Sequence, residues 1–502
     1  MNSQLNKSTS SINPFVFYGS LLLVGLSLIF SYLYKEEGQI FFQSLQQIIY
    51  NQLGWFYIVS LNLIIIFMFY LAFSKYGTIK LGGKDAQPEF NKFAWSSMLF
   101  SAGMGIGLLV FGISEPITHF TNPPFAEAFT EEAAREAMAY TYLHWGLHPW
   151  AIYALVGLNL AFFHFNKKLP LQIRSIFYPL LGNKIKGIYG DLIDLFAVIA
   201  TLFGLCTSLG YGVDQLSAGL NYLFQLKNSR LTDVILIMGI SLIACISVVL
   251  GVKKGIQKLS KFNVYLAFIF LGIIFISGST IFILKNFIQN TGAYVSNFIE
   301  LANWTATFEN EEWQNTWTIG YWGWWIAWSP FVGMFIAKIS KGRTVKEFIL
   351  GVMLIPTVFV FFWMASLGGS GILEIINENN HLLASIQEES NLSLYVFLEQ
   401  LPWSAFLQVI AMFLIASFFI TSSDSGSLVV DTLTSNHQVN SPKKLRVFWA
   451  ILEGVIASIL IYSGGLLILQ TASVLAALPF CIVLLVACYS LMKALKVEYL
   501  KE

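Results

Sequence analysis

Residues 316–334, TWTIGYWGWWIAWSPFVGM, place Trp317, Trp322, Trp324, Trp325 and Trp328 in one apolar stretch that runs into Pro330. Trp324 and Trp328 are four apart and share a helical face, with Trp325 one position round from Trp324. Indole is large and carries an N–H that seeks a partner, so tryptophan ordinarily settles at a membrane interface. A run this dense in mid-segment suits another chemistry, in which ring faces attract a quaternary ammonium group through cation–π interaction. Helix packing with an interfacial belt is the alternative, and this stretch alone leaves both open. A second aromatic group, Trp145, Trp150 and Tyr153, surrounds Pro149, which removes a backbone donor and loosens a helix. His144 and His148 are four apart, a spacing that can hold zinc. No third ligand adjoins them in sequence, so they read as hydrogen-bonded structural histidines.

Two further motifs carry oxygen atoms or exposed backbone. Ser101-Ala-Gly103-Met-Gly105-Ile-Gly107 sets glycines at alternate positions, each costing about 1 kcal/mol against alanine inside a helix. Such a run serves either close helix packing through small residues or an unwound segment that holds ions and solutes near the bilayer midplane. Thr421-Ser-Ser-Asp-Ser-Gly-Ser427 clusters polar side chains in an apolar run, where they must face protein, water or an ion. Hydroxyl and carbonyl oxygens suit a small hard cation such as sodium. Asp424 and Ser425 lack an adjoining histidine or lysine base, which argues against a hydrolase. Thr201 and the carboxylate of Asp214 sit in another apolar run.

The elements that must position these groups are membrane spans. The chain has 502 residues, 56% hydrophobic and 11% charged, with net charge +1; mean hydropathy is +0.67. Soluble domains carry about a quarter charged residues. Nothing in this balance points to nucleic acid. The four cysteines, Cys206, Cys245, Cys481 and Cys488, lie in apolar runs without metal-type spacing. Apolar runs of about 20 residues fall at 14–34, 53–73, 92–113, 138–164, 188–222, 233–251, 262–286, 317–338, 347–370, 402–432, 446–464 and 467–492. The expected fold is therefore an all-α polytopic membrane protein with twelve transmembrane helices. All of the 29 lysines and arginines except Lys35, Arg135, Lys227, Arg230 and Lys285 fall on the side holding both termini. The positive-inside rule makes that side cytoplasmic. Acidic clusters, such as Glu309, Glu311 and Glu312, mark the other side. The longest connections, 287–316 and 371–401, leave no room for a soluble catalytic domain, so an enzyme is not expected. The first has an amphipathic pattern suited to lying along the external surface.

Together GMGIG at 103–107, HWGLHPWAIY at 144–153, GYWGWWIAWSPFVGMFIAKISKGRT at 320–344 and TSSDSGS at 421–427 resemble the betaine/choline/carnitine transporter (BCCT) family over nearly the whole chain after the second span. The resemblance implies a LeuT-like 5+5 inverted repeat with two additional N-terminal helices. Its segments would be 1–91 (cytoplasmic N-terminus and two peripheral helices), 92–286 (first five-helix repeat), 287–316 (external amphipathic connection), 317–492 (second repeat) and 493–502 (short cytoplasmic tail). It implies a homotrimer in the cytoplasmic membrane of the cell, in contact with membrane lipid. Carried over position by position, it implies an aromatic box of Trp145, Trp150, Tyr153 and Trp325. Trp324 and Trp328 would join the same substrate path, along with Met104, Gly105 and Gly107 of the glycine run. A sodium site would use the carbonyls of Ser101, Met104 and Phe418 and the hydroxyls of Thr421 and Ser422. A second sodium site would use Thr201 and Phe331, but Leu205, one turn on from Thr201, has no oxygen to give. Choline-type members place an acid where this chain has Gly107. A zwitterion, which brings its own counter-charge, is therefore favoured over a bare cation. The expected activity is sodium-coupled import of glycine betaine by alternating access, with no cofactor beyond the coupling ion. A sodium-independent exchanger, a carrier of carnitine, choline or an ectoine-like solute, and a betaine-binding receptor are the alternatives.

Overall fold

The computed structural model describes residues 12–501 apart from 104, 251–255 and 436–441. The described residues fold into helices joined by short turns, and two isolated β-bridges are the extent of strand pairing among them. Helices α1 (Pro14–Leu33) and α2 (Lys35–Phe73) come first. α1 turns Leu22, Leu26, Ile29 and Leu33 outward, as a helix bordering lipid does. The glycine run separates α3 (Lys92–Gly103) from α4 (Ile106–Thr121), with Gly105 in an extended conformation between them. α5 (Glu131–Trp145) and α6 (Leu147–Phe165) meet at Gly146. Next come α7 (Ile188–Phe224), α8 (Arg230–Leu250), α9 (Ile256–Ser277) and α10 (Thr280–Asn303). A π-helical stretch, Asn315–Ile319, leads into α11 (Gly320–Ile339). The chain closes with α12 (Val345–Met364), α13 (Ser404–Thr434), α14 (Lys443–Gly464) and α15 (Leu466–Tyr499).

Ten helices among the described residues are long and apolar enough to cross a membrane. Two of the twelve expected spans are absent from that count. The run 92–113 is divided between α3 and α4, so neither half qualifies. The run 317–338 forms α11, whose tryptophan, tyrosine and glycine content lowers its mean hydropathy. Three expectations are corrected in detail. The bend expected at Pro149 falls at Gly146 instead, because Pro149 lies in the first turn of α6, where its missing N–H is not needed. The seventh span ends at Ser277, and the boundary drawn at 286/287 falls inside α10. The second span begins far earlier than 53, at Lys35.

α11 is the axis of the bundle, and nearly all of it is buried. It lies against α6 with backbone near backbone. A methyl group on Gly333 would sit 2.5 Å from Val156 and 3.0 Å from the Gly157 amide. On another side, a methyl on Gly204 of α7 would sit 3.1 Å from the backbone of Ala327 and Trp328. Small residues at these crossings let the aromatic helix approach its neighbours.

At the lysine-rich end, Arg174 is buried and ties the connection after α6 to α7. Its guanidinium pairs with Asp194, and with Asp191 at 2.8 Å. Burial opposes the Arg174 charge, but the two carboxylates outweigh it and hold its pKa above the ordinary value. Arg174→Ala would leave the fully buried Asp194 without its cation. We expect a loss of about 3–5 kcal/mol, the usual cost of breaking a buried ion pair from one side. It would be read as a lower unfolding midpoint of the purified protein, and an unchanged midpoint would refute this account.

Candidate functional site

α11 presents its rings in a stack. Trp324 and Trp325 lie face to face with centroids 4.5 Å apart and planes 17° from parallel. Tyr321, one turn earlier, stacks on Trp325 at 5.5 Å. Trp145, the last residue of α5, meets Trp325 edge-on at 5.0 Å. A lower group lies beside this one. Trp150 and Tyr153 of α6 are 5.6 Å apart, Tyr153 is 6.2 Å from Trp328, and Trp328 is 6.5 Å from Trp325. The structure thus brings Trp145, Trp150, Tyr153, Trp324, Trp325 and Trp328 into one continuous buried cluster. Two polar handles in the lower group have no hydrogen-bond partner among the described residues: Tyr153 Oη and Trp328 Nε1.

The glycine run sits directly on these rings. A methyl on Gly105 would come within 3.2 Å of the Trp328 ring. On Gly107 it would lie 2.6 Å from Trp145 and 3.1 Å from Trp324. The indoles therefore rest where a side chain would otherwise stand. Any side chain at position 107 would require Trp145 and Trp324 to move. Met104 lies outside the described residues, and of Ser101 only the helical backbone is described.

The hydroxyl run lies in α13. Thr421 Oγ1 lies 3.0 Å from the Phe418 carbonyl, to which it donates, and 2.9 Å from the Ser417 carbonyl. Ser422 is buried. Asn263 of α9, which carries no motif signal, donates Nδ2 to Thr421 Oγ1 at 3.1 Å, and its Oδ1 has no partner among the described residues. Thr201 donates to the Ala197 carbonyl of its own helix at 2.7 Å. Leu205 packs its methyls where a methyl on Gly426 would be, at 2.4 Å. Phe331 packs on Trp328 at 5.5 Å.

Sequence reading missed the residue that ties the aromatic groups together. Glu115 of α4 is fully buried. Its Oε2 accepts from Trp145 Nε1 at 2.7 Å and from the Tyr321 hydroxyl. Its Oε1 lies 2.8 Å from His144 Nδ1 and 3.4 Å from His119 Nε2. The other face of His144 meets Thr318 Oγ1 at 3.0 Å, and its carbonyl accepts from Trp325 Nε1 at 2.9 Å. The signal was an acid inside an apolar stretch, which by itself marks a candidate site. The third span was ended at residue 113, which left Glu115 in an assumed loop. Both expected structural histidines are hydrogen-bonded. His148 does not join His144 as a ligand pair; it bonds Asn62 at 3.1 Å and stacks on Trp322. Glu115, His119 and His144 could present ligand atoms to a small cation, all lying within 4.8 Å of one another.

A cavity of about 1020 Å³ opens at the end of the bundle that carries Glu311 and Glu312. Gln46, Gln470 and Asn51 line its wall, and Phe111, Tyr211, Tyr321 and Trp324 line its inner end. Trp324 therefore has one ring face in the stack and its far side toward this vestibule, beside Tyr211 at 5.0 Å.

A model of the "betaine/carnitine/choline family transporter" matches residues 15–500. A glycine betaine transporter of Acinetobacter baylyi is 44% identical over 502 residues, covering 100% of this chain and 76% of that protein. A glycine betaine/proline/choline transporter of Vibrio parahaemolyticus is 42% identical over 502 residues, covering 96% and 90%. A second protein of that species, a glycine betaine/proline/choline/ectoine transporter, is 44% identical over 458 residues, covering 90% and 81%. Among solved structures, an outward-open, substrate-bound Na+-coupled sialic acid symporter aligns with 80% of this chain and 78% of its own at TM-score 0.45 and 14% identity, too distant a likeness to fix a topology.

The packing of the glycine run on the indoles gives a direct test. Gly107→Ala should displace Trp145 and Trp324 and cost about 1–3 kcal/mol, the usual penalty for overpacking a filled interior. The expected readout is a lower unfolding midpoint with a shifted tryptophan emission spectrum. If neither moves, the indoles do not rest on position 107.

Proposed function

This chain belongs to the betaine/carnitine/choline transporter family, and from that premise we propose that it imports glycine betaine, coupled to sodium, by alternating access. The observation that carries the reading is the buried ring cluster with two unpartnered donors at one end. Ring faces of Trp145, Trp150, Tyr153 and Trp325 would hold the trimethylammonium head, each contributing about 0.5–2 kcal/mol. Trp328 Nε1 is a buried donor without a partner among the described residues, and a carboxylate would supply one. A zwitterion with a methylated cation at one end and a carboxylate at the other satisfies both requirements. A bare cation satisfies one. Met104, Gly105 and Gly107 would contribute backbone to the same site. The three relatives described above all carry glycine betaine in their names, which supports reading it ahead of choline or ectoine.

Sodium would sit between the glycine break and α13. The Phe418 carbonyl and the Thr421 and Ser422 hydroxyls would supply oxygens there, and the resemblance adds the carbonyls of Ser101 and Met104. The unpartnered Oδ1 of Asn263 lies close by. An ion bound across that gap would link the broken helix to α13 and bias the protein toward one of its two states. A second ion at Thr201 and Phe331 gains no support, since Leu205 fills its side of α7 with methyl groups. The same reading makes the helices from α3 to α9 and from α11 to α15 two inverted five-helix repeats. The protein would be a homotrimer of the cytoplasmic membrane with both termini inside.

Purified protein in liposomes tests the site and the coupling separately. Trp325→Leu should abolish saturable uptake of labelled glycine betaine, while Trp325→Phe, which keeps a ring face, retains part of it. Uptake by the leucine variant equal to wild type would falsify the aromatic site. Replacing external sodium by potassium should reduce uptake to the leak rate. Full uptake in potassium would identify a sodium-independent exchanger.

A further inference from the structure

Glu115 is a buried carboxylate that the transport reading does not use, and it lies directly behind the aromatic site. We propose that Glu115 sets the preference of that site for a positively charged head group, by polarising from behind Trp145, one of its rings, and Tyr321, which stacks on another. The inference rests on the aromatic binding reading and adds a residue that acts through the rings rather than on the solute.

The geometry supports a charge at this position. Oε2 receives the Trp145 indole N–H, which can only donate, and the Tyr321 hydroxyl. Oε1 faces His144 Nδ1 at 2.8 Å. With Thr318 Oγ1, at 3.0 Å, donating to His144 Nε2, the imidazole proton sits on Nδ1 and is directed at Glu115. In that arrangement a neutral His144 and an ionised Glu115 satisfy the bonds joining Glu115, Trp145, Tyr321, His144 and Thr318 without a second formal charge. His119, the remaining neighbour, makes no hydrogen bond at either ring nitrogen and sits 3.4 Å from Oε1.

A charged acceptor at an indole N–H or a phenol O–H makes a strong hydrogen bond and pushes electron density toward the ring. The cation–π attraction depends on the negative potential of the ring face, so it grows with that push. The effect is large where water is absent, and Glu115 is fully buried. Both polarised rings lie against Trp325, Trp145 at its edge and Tyr321 on its face. One carboxylate therefore acts on two sides of the residue at the centre of the cluster. It cannot act as a salt-bridge partner to the solute, because Trp145 and Tyr321 cap Oε2. It differs in this from an acid at position 107, which would stand among the rings.

The test compares glycine betaine with tert-butylacetate, which has the same shape but carbon in place of the quaternary nitrogen. Glu115→Gln keeps a carbonyl acceptor and removes the charge. In proteoliposomes it should raise the KM for glycine betaine about tenfold, equivalent to about 1.4 kcal/mol. The inhibition constant of tert-butylacetate should stay within about twofold of wild type. Discrimination between cationic and neutral heads would then fall, and Glu115→Asp, which restores the charge, should recover part of it. A merely structural role would move both constants together. Equal shifts, or no shift in either, would overturn the proposal. If Glu115→Gln does not fold, Tyr321→Phe decides the question, since it removes one of the two polarising bonds and keeps the ring. It should lower discrimination in the same direction by a smaller factor, and unchanged discrimination would overturn the proposal. Loss of uptake in Trp325→Leu with unaltered discrimination in Glu115→Gln would discard Glu115 alone. Intact uptake in Trp325→Leu would discard the aromatic site beneath it.

Discussion

The close approach of α11 to α6 and α7 is the constraint from which the site follows. Gly157 and Gly333 bring two helices within backbone distance, and Gly204 does the same from α7. At such separations the large side chains cannot lie in the crossings. They are pushed to the remaining sector, where the broken helix between α3 and α4 leaves room. Tryptophan, the largest side chain, is packed against glycine, the smallest, at Gly105 and Gly107. Shape complementarity of this kind fixes rotamers and leaves the rings little freedom to lose on binding.

Buried rings with polar handles create a second demand, because an indole N–H without a partner in a membrane interior is costly. Most of the handles here are satisfied by protein. Trp145 bonds Glu115, Trp325 bonds the His144 carbonyl, and Trp324 bonds Ser208 at 3.2 Å. The same satisfied network ties α4, α5, α7 and α11 together, so movement of one helix is transmitted to the others through hydrogen bonds. Trp328 and Tyr153 stand outside it, and their unmet handles mark the end of the cluster where a polar group of a solute would be stabilised.

Much of this was legible in the chain. The tryptophan run, Trp150 with Tyr153, the alternating glycines and the hydroxyl run were all visible as departures from a plain apolar span. The family resemblance rested on those departures, and the family match bears it out. Hydropathy hid the rest. It closed the third span before Glu115, because an acid reads as a boundary when its hydrogen-bond partners come from α5 and α11. It could not see the break at Gly278, where Ile281, Phe282 and Ile283 carry the apolar pattern on. The bend at Gly146 was credited to the neighbouring proline, and only backbone geometry separates the two.

The interrupted helices have an electrical consequence of their own. α4 begins at Ile106 with no side chain capping its first amides, and Gly105 at that terminus touches the Trp328 ring. α5 ends at Trp145. Helix termini carry partial charge, positive at the amino end and negative at the carboxyl end. The amino terminus of one half-helix thus lies against the rings at Gly105 and Gly107, and the carboxyl terminus of another lies at Trp145. The backbone alone adds partial charge of both signs beside the cluster, a field that would orient a molecule bearing both.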